Sequence, residues 1–523
     1  MKRIALSLIL AAAACGGASS TSSEEAALAG GNRGRYFVGF SDKADKAKAQ
    51  KHGAKIVHDF SELGALAIDL DNAKVSDLAR EGGVAYVEED PPRTASTLDS
   101  AQLVPSTGNG LYGLVTTHAV DAHSAGVTGA GIVVGVADTG LDCSHPDIQP
   151  NLISSRNFVT GDSTTTTGCT GSGDIDPAVE EHATHVSGTI LGVNNSVGVY
   201  GVAFNARLVH ARVLGPNGGT TSDIMAGVRA LVNSGARIIN LSLGGGRSSH
   251  TEERFYADLY NKSGVLVAAA AGNDSARKLS YPAAYSTNIA VGAVDRTNAH
   301  ASFSNTGRGI DVSAPGVSVL SSVPVGTGHE AAVTTAVSGT LQAAGMEFAG
   351  TTTANGVSGT LVDCGLGQAG EFPAAVAGNV ALIQRGTIAF ADKVTNAMAA
   401  GAKAAIIYNN VAGDFAGTLG AAGTWIPAVS VSDSAGATLK TQVGSAVTVL
   451  NQVSNWDLFD GTSMATPHVA GALALIWSKN PAAPSKTVES ALYNTATDLG
   501  APGYDTTFGY GLVNASAAAA TIH

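Results

Sequence analysis

The feature that most constrains the fold of this chain is an alternation of short apolar runs with helical patterns after residue 101. The apolar runs have the length of buried strands, and apolar residues with helical spacing cover 222–233. Parallel strands need a crossover between them, usually a helix, so this alternation predicts a doubly wound α/β domain with a mostly parallel sheet. Groups that serve a reaction are then expected beyond the carboxyl ends of the strands. The apolar runs are 132–137, 207–213, 238–243 and 265–270.

Two other regions differ from this pattern, as expected for a 523-residue chain of more than one domain. Residues 36–93 alternate strand and helix patterns and end in an acidic, proline-containing stretch, which predicts a small α+β unit. Residues 326–456 are rich in Gly, Thr and Val, with one strand–helix–strand pattern over 380–408. Because the α/β pattern returns over 457–523, we predict a β-rich domain inserted between 101–325 and that last segment.

The amino-terminal residues indicate export. Lys2 and Arg3 precede an apolar run that ends at Ala14, which is typical of a secretory signal and too short for a membrane span. We predict a signal over 1–15 and a flexible linker over 16–35. The small residues before Cys15 fit ordinary signal cleavage and also lipidation of Cys15 as in bacterial lipoproteins, and both alternatives stay open. The protein is therefore expected outside the cytoplasm, its precursor membrane-anchored if Cys15 is lipidated.

Charge and cysteine usage narrow the possible partners. The net charge of -12 argues against nucleic acid, which favours a basic face. No later apolar run has the roughly 18 residues of a transmembrane segment.

Cys143 and Cys169 flank a Thr/Gly-rich loop and are the expected disulfide pair of an exported protein, which leaves Cys364 without a predicted partner. No Cys/His spacing predicts zinc.

Three segments carry groups suited to nucleophilic catalysis. Asp138 directly follows the run 132–137, where a carboxylate could orient a histidine. His182 is predicted to open a helix, and His185, one turn later, is interpreted as structural. Ser463 is predicted at a helix start, where free N–H groups and the helix dipole favour negative charge. Each of these residues also has a purely structural alternative. Asp138 could cap a turn at the end of its strand, and Ser463 could cap its helix.

Together these segments make the chain resemble the subtilisin family of serine peptidases, whose catalytic residues occur in the order Asp, His, Ser. The resemblance implies that Ser463 attacks the scissile carbonyl, that His182 accepts its proton and that Asp138 orients His182. It also implies that Asn273 and the Ser463 N–H stabilise the oxyanion. Ala183 and Ser187 depart from the family's usual Gly and Ala, both by small side chains.

The resemblance further implies a groove in which substrate binds as an added strand. The primary specificity pocket is implied to be lined by Gly244 and Ala270, with Ser280 near its base. No acidic residue appears there, so we expect broad specificity with a preference for apolar residues before the scissile bond. The residues implied for substrate binding are Gly218, Gly219, Thr220, Ser242, Leu243, Gly244, Ala270 and Ser280.

A structural calcium site is also implied by the resemblance. Calcium prefers an all-oxygen environment, which carboxylate, amide and backbone carbonyl groups provide. The implied ligands are Gln102, Asp147, Val193, Asn195, Val197 and Val199.

The two remaining regions also have counterparts in the family. Residues 36–93 resemble the inhibitory propeptide, and 326–456 resemble a protease-associated (PA) domain. We therefore expect a secreted serine endopeptidase that acts on proteins or peptides and matures itself by cleavage between Arg93 and Gln102, with its own propeptide as inhibitor. The alternatives are a narrow-specificity processing protease and a non-catalytic binding protein that uses the insertion for adhesion. The sequence makes no prediction of an oligomeric state.

Overall fold

The computed structural model describes residues 33–95, 111–161, 177–411, 413, 415 and 417–523. The chain divides into two units, Met1–Glu89 and Asp90–His523. The predicted signal over 1–15 with Cys15, most of the predicted linker, and the predicted site residues Gln102 and Cys169 lie outside the described residues.

The first unit contains an antiparallel sheet. Its elements are β1 Arg33–Phe40, α1 Lys46–Lys51, β2 Lys55–Phe60, β3 Ala65–Asp71, α2 Val75–Ala79 and β4 Val84–Glu89. The strand order is β2-β3-β1-β4 with all neighbours antiparallel, and β3 supplies much of the core. Because β1 starts at Arg33, residues 33–35 belong to a strand and not to the predicted linker. β2 was not predicted, since its polar residues hide the alternation of a half-buried strand.

The second unit begins with a long α/β segment. Its elements are β5 Pro92–Ala95, α3 Tyr112–Thr116, α4 Ala119–Ser124, β6 Val133–Asp138, β7 Leu152–Asn157, α5 Pro177–Leu191, β8 Arg207–Arg212, β9 Gly219–Thr220, α6 Thr221–Asn233, β10 Ile238–Leu241, β11 Leu243–Gly244, α7 His250–Ser263, β12 Leu266–Ala270, β13 Ile289–Val294, β14 Val312–Pro315 and β15 Val319–Ser322.

Seven of these strands form a parallel sheet in the order β14-β13-β12-β10-β6-β8-β7. Every residue of β10, β12 and β13 is buried, as expected for central strands of a sheet covered on both faces. The apolar runs of the sequence are these strands, so the prediction of a doubly wound parallel sheet is confirmed.

A separate small sheet lies in the same unit. It has the order β11-β5-β9, with β5 antiparallel to both neighbours. β5 was not predicted, because a polar four-residue segment that begins with proline lacks the pattern of a strand.

The inserted region forms an eight-stranded sheet. Its elements are β16 Gly328–Thr335, β17 Gly339–Gln342, β18 Ala344–Gly345, β19 Val357–Asp363, β20 Val380–Gln384, α8 Phe390–Ala399, β21 Ala404–Tyr408, β22 Ala428–Val431, α9 Asp433–Lys440 and β23 Ala446–Ser454. The order is β17-β16-β23-β19-β20-β21-β22-β18, with β19 to β22 mutually parallel. The predicted strand–helix–strand pattern corresponds to β20, α8 and β21.

The chain then returns to the α/β fold through β24 Trp456–Phe459, α10 Thr462–Ser478, α11 Ser485–Asn494 and α12 Ala515–Ala520. β24 pairs with β15 in an antiparallel ladder, so the two ends of the insertion leave from neighbouring strands. α10 is buried from Thr462 to Trp477, which makes it a core helix. In the described part of the chain, no helix is both long and apolar enough to cross a membrane.

Candidate active site

The carboxyl end of β6 carries the predicted acid. Asp138 is fully buried, and its Oδ1 accepts the Thr139 N–H at 2.7 Å and lies 2.6 Å from Nδ1 of His182. A carboxylate at this distance holds the proton on Nδ1, so that Nε2 presents its lone pair. His182 lies in α5, and its Nε2 is buried and has no hydrogen-bond partner among the residues that the structure describes.

The predicted nucleophile lies in the first turn of α10. The Ser463 hydroxyl donates to the Ser242 carbonyl at 2.9 Å, and the Ser242 hydroxyl donates back to the Ser463 carbonyl at 2.8 Å. Gly461, which precedes the helix, has a φ of 147°, which favours glycine. Ser463 is thereby fixed at a helix start, where backbone N–H groups can stabilise developing negative charge.

Asn273 lies beside this helix start. Its Oδ1 accepts the backbone N–H of Thr462 at 2.9 Å and the Thr462 hydroxyl at 2.8 Å, which fixes the orientation of the carboxamide. The structure therefore brings Asn273 to the residue that precedes Ser463. In the subtilisins themselves, loss of an oxyanion donor of this kind lowers turnover by about 10²–10³-fold.

Three other histidines of the second unit, His185, His210 and His468, are buried and hydrogen-bond backbone carbonyls, whereas His182 contacts the Asp138 carboxylate. Burial lowers the pKa of His185 to about 3, and it lowers the pKa of His210 and of His468 to about 4. His185 stacks on Phe459 and hydrogen-bonds the Val319 carbonyl, both at the base of the insertion. These contacts support the interpretation of His185 as a structural residue.

The predicted substrate-binding residues lie along one groove. Gly219 and Thr220 form β9, and Leu243 and Gly244 form β11 directly after Ser242; Gly218 precedes β9. A side chain at Gly244 would meet Ser280, so these two residues share a wall, and Ala270 ends the neighbouring strand β12.

This groove holds a segment of the chain itself. β5 lies between β9 and β11, with Pro92 opposite Thr220, Arg93 opposite Gly219, Thr94 opposite Gly244 and Ala95 opposite Leu243. The segment is also anchored before the strand, since the buried Asp90 carboxylate accepts the Ser222 N–H at the start of α6 at 2.9 Å. The groove therefore holds an extended segment of the chain through its backbone, while binding of a substrate as an added strand stays a prediction.

Sequence reasoning missed one acidic residue of this groove. Nη2 of Arg93 lies 2.6 Å from Oε2 of Glu252, and both side chains are fully buried. The sequence signal at Glu252 indicates only a helix start, because Ser249 and Glu252 have the spacing of a capping box. Ser249 does cap α7 by accepting the Glu252 N–H, but the Glu252 carboxylate contacts Arg93. Glu252 contacts Arg93 and is not among the residues implied for the specificity pocket, Gly244, Ala270 and Ser280, so the absence of acidic residues expected for that pocket stays a prediction.

The predicted calcium ligands do come together in part. Asp147 Oδ1 accepts the Asn195 amide at 2.9 Å, and Oδ2 accepts the Ser322 hydroxyl at 3.1 Å and the Trp456 indole N–H at 2.7 Å. Asn195 Oδ1 accepts the Val197 N–H, and the Val193 carbonyl accepts the Asn195 N–H.

The oxygens of Asp147 and Asn195 and the Val193 carbonyl each accept a hydrogen bond from a protein donor in this arrangement. Val199 is buried in the same loop, and Gln102 lies outside the described residues. The ligand set implied by the resemblance therefore remains a prediction, and no chemistry of the site depends on it.

The cysteine predictions are covered in part. Cys143 is disulfide-bonded, but its predicted partner Cys169 lies outside the described residues, so that pairing stays a prediction. Cys364 is free and buried in the insertion.

A carboxylate–imidazole pair at the end of a parallel strand, a serine at the start of a buried helix and a groove for an extended chain define an α/β protein with a serine-peptidase type of site. The model of the subtilase family matches residues 129–360, and that of the PA domain matches 357–439. The chain belongs to the subtilase family, and it contains a PA domain.

The relatives support this membership. The chain is 39% identical over 274 residues to the alkaline protease of Alkalihalobacillus alcalophilus. The matched region covers 52% of this chain and 66% of the protease, just under two thirds of the protease's length. It is 38% identical over 307 residues to subtilisin E of Bacillus subtilis (strain 168), covering 56% of the chain and 74% of the relative. Among solved structures, the psychrophilic subtilisin-like protease Apa1 of the Antarctic Pseudoalteromonas sp. AS-11 matches with a TM-score of 0.59 and 32% identity, over 78% of the chain and 97% of Apa1. The subtilisin-like fold predicted from sequence is confirmed.

Proposed function

We propose that the protein is an exported serine endopeptidase that hydrolyses peptide bonds of proteins through Asp138, His182 and Ser463. The observation that carries this proposal is the 2.6 Å contact between buried Asp138 and His182 in a chain whose family is subtilase. The Ser463 hydroxyl, held at a helix start, supplies the nucleophile.

The mechanism uses the chain's own groups. A peptide strand in the groove presents its carbonyl to Ser463, and Nε2 of His182 removes the hydroxyl proton as the oxygen attacks. Asp138 stabilises the imidazolium that forms, and Asn273 with the Ser463 N–H stabilises the oxyanion. His182 then protonates the leaving amine, and water hydrolyses the acyl-enzyme by the same steps in reverse.

Self-inhibition before maturation is part of this proposal. The position of β5 in the groove supports it, because a segment that ends the predicted propeptide 36–93 occupies the place of a substrate. Cleavage between Arg93 and Gln102 would release the groove. The signal pattern over 1–15 supports export, and lipid on Cys15 would anchor only the precursor.

The inserted PA domain is proposed to shape access for substrates or partners without taking part in catalysis. Its two ends leave through β15 and β24, whose Val319 and Phe459 contact His185 on the helix that carries His182. A structural calcium site stays a prediction outside this mechanism.

The test is Ser463→Ala, with Ser478→Ala at the other end of the same helix as the matched control. We expect Ser463→Ala to abolish hydrolysis of casein and to leave the purified chain unprocessed by amino-terminal sequencing, whereas Ser478→Ala does neither. Normal processing of purified Ser463→Ala protein would contradict self-maturation, and residual hydrolysis at the wild-type rate would contradict the assignment of the nucleophile.

A further inference from the structure

The groove holds a buried pocket that receives a cationic side chain. The Arg93 side chain leaves β5 and is 1% exposed, and its Nη2 contacts both Oε2 of Glu252 at 2.6 Å and the backbone carbonyl of Arg247 at 3.0 Å. Its Nη1 donates to the Pro92 carbonyl at 3.0 Å. All of these contacts lie within the second unit, so the pocket is a property of the protease and of the strand it holds.

Glu252 is positioned independently of Arg93. It lies in the first turn of α7, where the helix dipole favours a carboxylate, and Ser249 caps this helix. The Tyr285 hydroxyl donates to Oε2 of Glu252 at 2.9 Å, and the same hydroxyl hydrogen-bonds the Ser249 backbone. Burial and then the neighbouring Glu252 raise the pKa of Tyr285 far above its usual value, so Tyr285 stays a donor to the carboxylate. The pocket is therefore built around a fixed negative charge.

The strand register relates this pocket to the bond that is cut. Ala95 faces Leu243 and Thr94 faces Gly244, so the next substrate position in the same antiparallel register faces Ser242. The Ser242 carbonyl accepts the hydroxyl of the nucleophile Ser463. We take the substrate position opposite Ser242 as the one that supplies the acyl carbonyl, because its carbonyl would lie nearest the Ser463 hydroxyl. Arg93 is three residues before it, at the fourth position before the scissile bond.

We propose that the Glu252 pocket selects substrates with arginine at the fourth residue before the bond that is cut. The enzyme would then be a protease of narrower specificity, which acts on proteins or peptides that carry such an arginine, its own precursor included. This inference deepens the proposed function and rests on it. The apolar preference expected from sequence concerns another position of the substrate, at the wall formed by Gly244 and Ser280, and it stays a separate prediction.

The physical reason is the asymmetry of a buried ion pair. A buried carboxylate whose partner is replaced by a neutral group keeps its desolvation penalty and loses the compensating charge. For pairs of this kind, the loss corresponds to on the order of 10²–10³-fold in an equilibrium or rate constant. Arginine also fits better than lysine, because its planar group reaches Glu252 and the Arg247 carbonyl at once.

The first experiment needs no variant of the enzyme. The active preparation obtained from the full-length chain is assayed with matched peptides that carry arginine, lysine, citrulline or leucine at the fourth position before one fixed cleavable bond. Citrulline is the neutral counterpart of arginine, so it separates charge from shape. We expect kcat/KM for arginine to exceed that for citrulline by about 10²-fold or more, with lysine in between. A second series moves the arginine to the third and fifth positions, where the advantage should disappear.

The second experiment assigns the preference to Glu252. Glu252→Gln keeps the shape of the side chain and removes its charge, and Glu253→Gln makes the same change at an exposed neighbour. We expect the arginine-to-citrulline ratio to fall to within a few-fold in Glu252→Gln and to stay at the wild-type value in Glu253→Gln. Circular dichroism checks that both variants are folded. If Glu252→Gln does not fold, the peptide series on the wild-type enzyme tests the arginine preference by itself.

The outcomes separate this inference from the proposed function. Absence of hydrolysis of any peptide and of casein contradicts the endopeptidase. Three outcomes would contradict the Glu252 pocket but not the endopeptidase activity. They are equal rates for the arginine and citrulline peptides, a preference for arginine at another position, and an unchanged preference in folded Glu252→Gln.

Discussion

Asp138 and Glu252 are both completely buried carboxylates of the second unit, and they differ in the source of the neutralising charge. At the end of β6, Asp138 faces His182, an imidazole that can gain and lose a proton. In the first turn of α7, Glu252 faces Arg93, a guanidinium that stays charged and belongs to the segment that fills the groove. The first arrangement suits proton transfer within the protein, and the second suits recognition of a charge that is brought from outside. The difference shows how one physical device, a buried carboxylate, serves catalysis in one place and selection in another.

The largest expected effect concerns the first carboxylate. Asp138→Asn keeps the size of the side chain but lets His182 adopt the wrong tautomer, so we expect kcat to fall by about 10⁴-fold, a magnitude established for serine peptidases and not deduced from this geometry. Steady-state kinetics on a peptide substrate measure it, with Asp258→Asn, a half-buried aspartate paired with Lys262, as control. A loss below tenfold in a folded protein would mean that Asp138 does not orient the catalytic imidazole.

The second carboxylate should have a structural effect in the precursor. In a Ser463→Ala background, which keeps the chain uncut, Arg93→Leu leaves Glu252 buried without its cation. We expect the second unit to lose about 3–5 kcal/mol in its free energy of unfolding. Denaturant unfolding measures the change. The double replacement Arg93→Leu with Glu252→Leu should recover most of the loss, because no charge then stays buried alone; a double variant as unstable as the single one would refute the ion pair as the cause.

A smaller effect, on the pH dependence of stability, is expected at His185, which lies one turn after His182 on α5. Burial lowers the pKa of His185 from 6.5 to about 3. Between these values, the unfolded chain binds a proton that the folded protein does not, so stability falls as the pH drops from 6.5 toward 3 and is unaffected above that window.

Replacement of His185 by Gln should therefore reduce the acid dependence by about one proton, or roughly 1.4 kcal/mol per pH unit within the window. Unfolding free energies between pH 4 and 8 in the Ser463→Ala background measure this slope, with the exposed His250→Gln as control. An unchanged slope would show that His185 is protonated in the folded protein.

The smallest effect is expected at a third buried carboxylate, Asp147, whose partners are neutral donors. Since Asn195, Ser322 and Trp456 already hydrogen-bond it, calcium chelation should change the unfolding temperature by less than the roughly 1 °C that corresponds to 1 kcal/mol in a unit as large as Asp90–His523. Calorimetry after long incubation with chelator tests this in the Ser463→Ala protein. A larger fall that disappears in Asp147→Asn would establish the calcium site that the family resemblance implies.

Much of the fold followed from local patterns. Buried parallel strands are almost purely apolar, which is why 132–137 and 265–270 could be recognised as the strands that became β6 and β12. The inserted β20 and β21 could be recognised for the same reason. β2 and β5 could not, because polar residues interrupt the alternation in β2 and the buried Arg93 of β5 pairs with Glu252, a contact that no local pattern describes.

For the site, the sequence by itself determined the order and local setting of Asp138, His182, Asn273 and Ser463, since each follows a strand or opens a helix. Only the tertiary structure decided what fills the groove and what its charge selects. Glu252 has the sequence signature of a helix cap, and Arg93 is a polar residue in a proline-containing segment. Their 2.6 Å contact joins residues that are 159 positions apart. Burial of such a pair depends on how sheet, helix and groove enclose it, and that enclosure is a property of the folded chain which local composition does not encode.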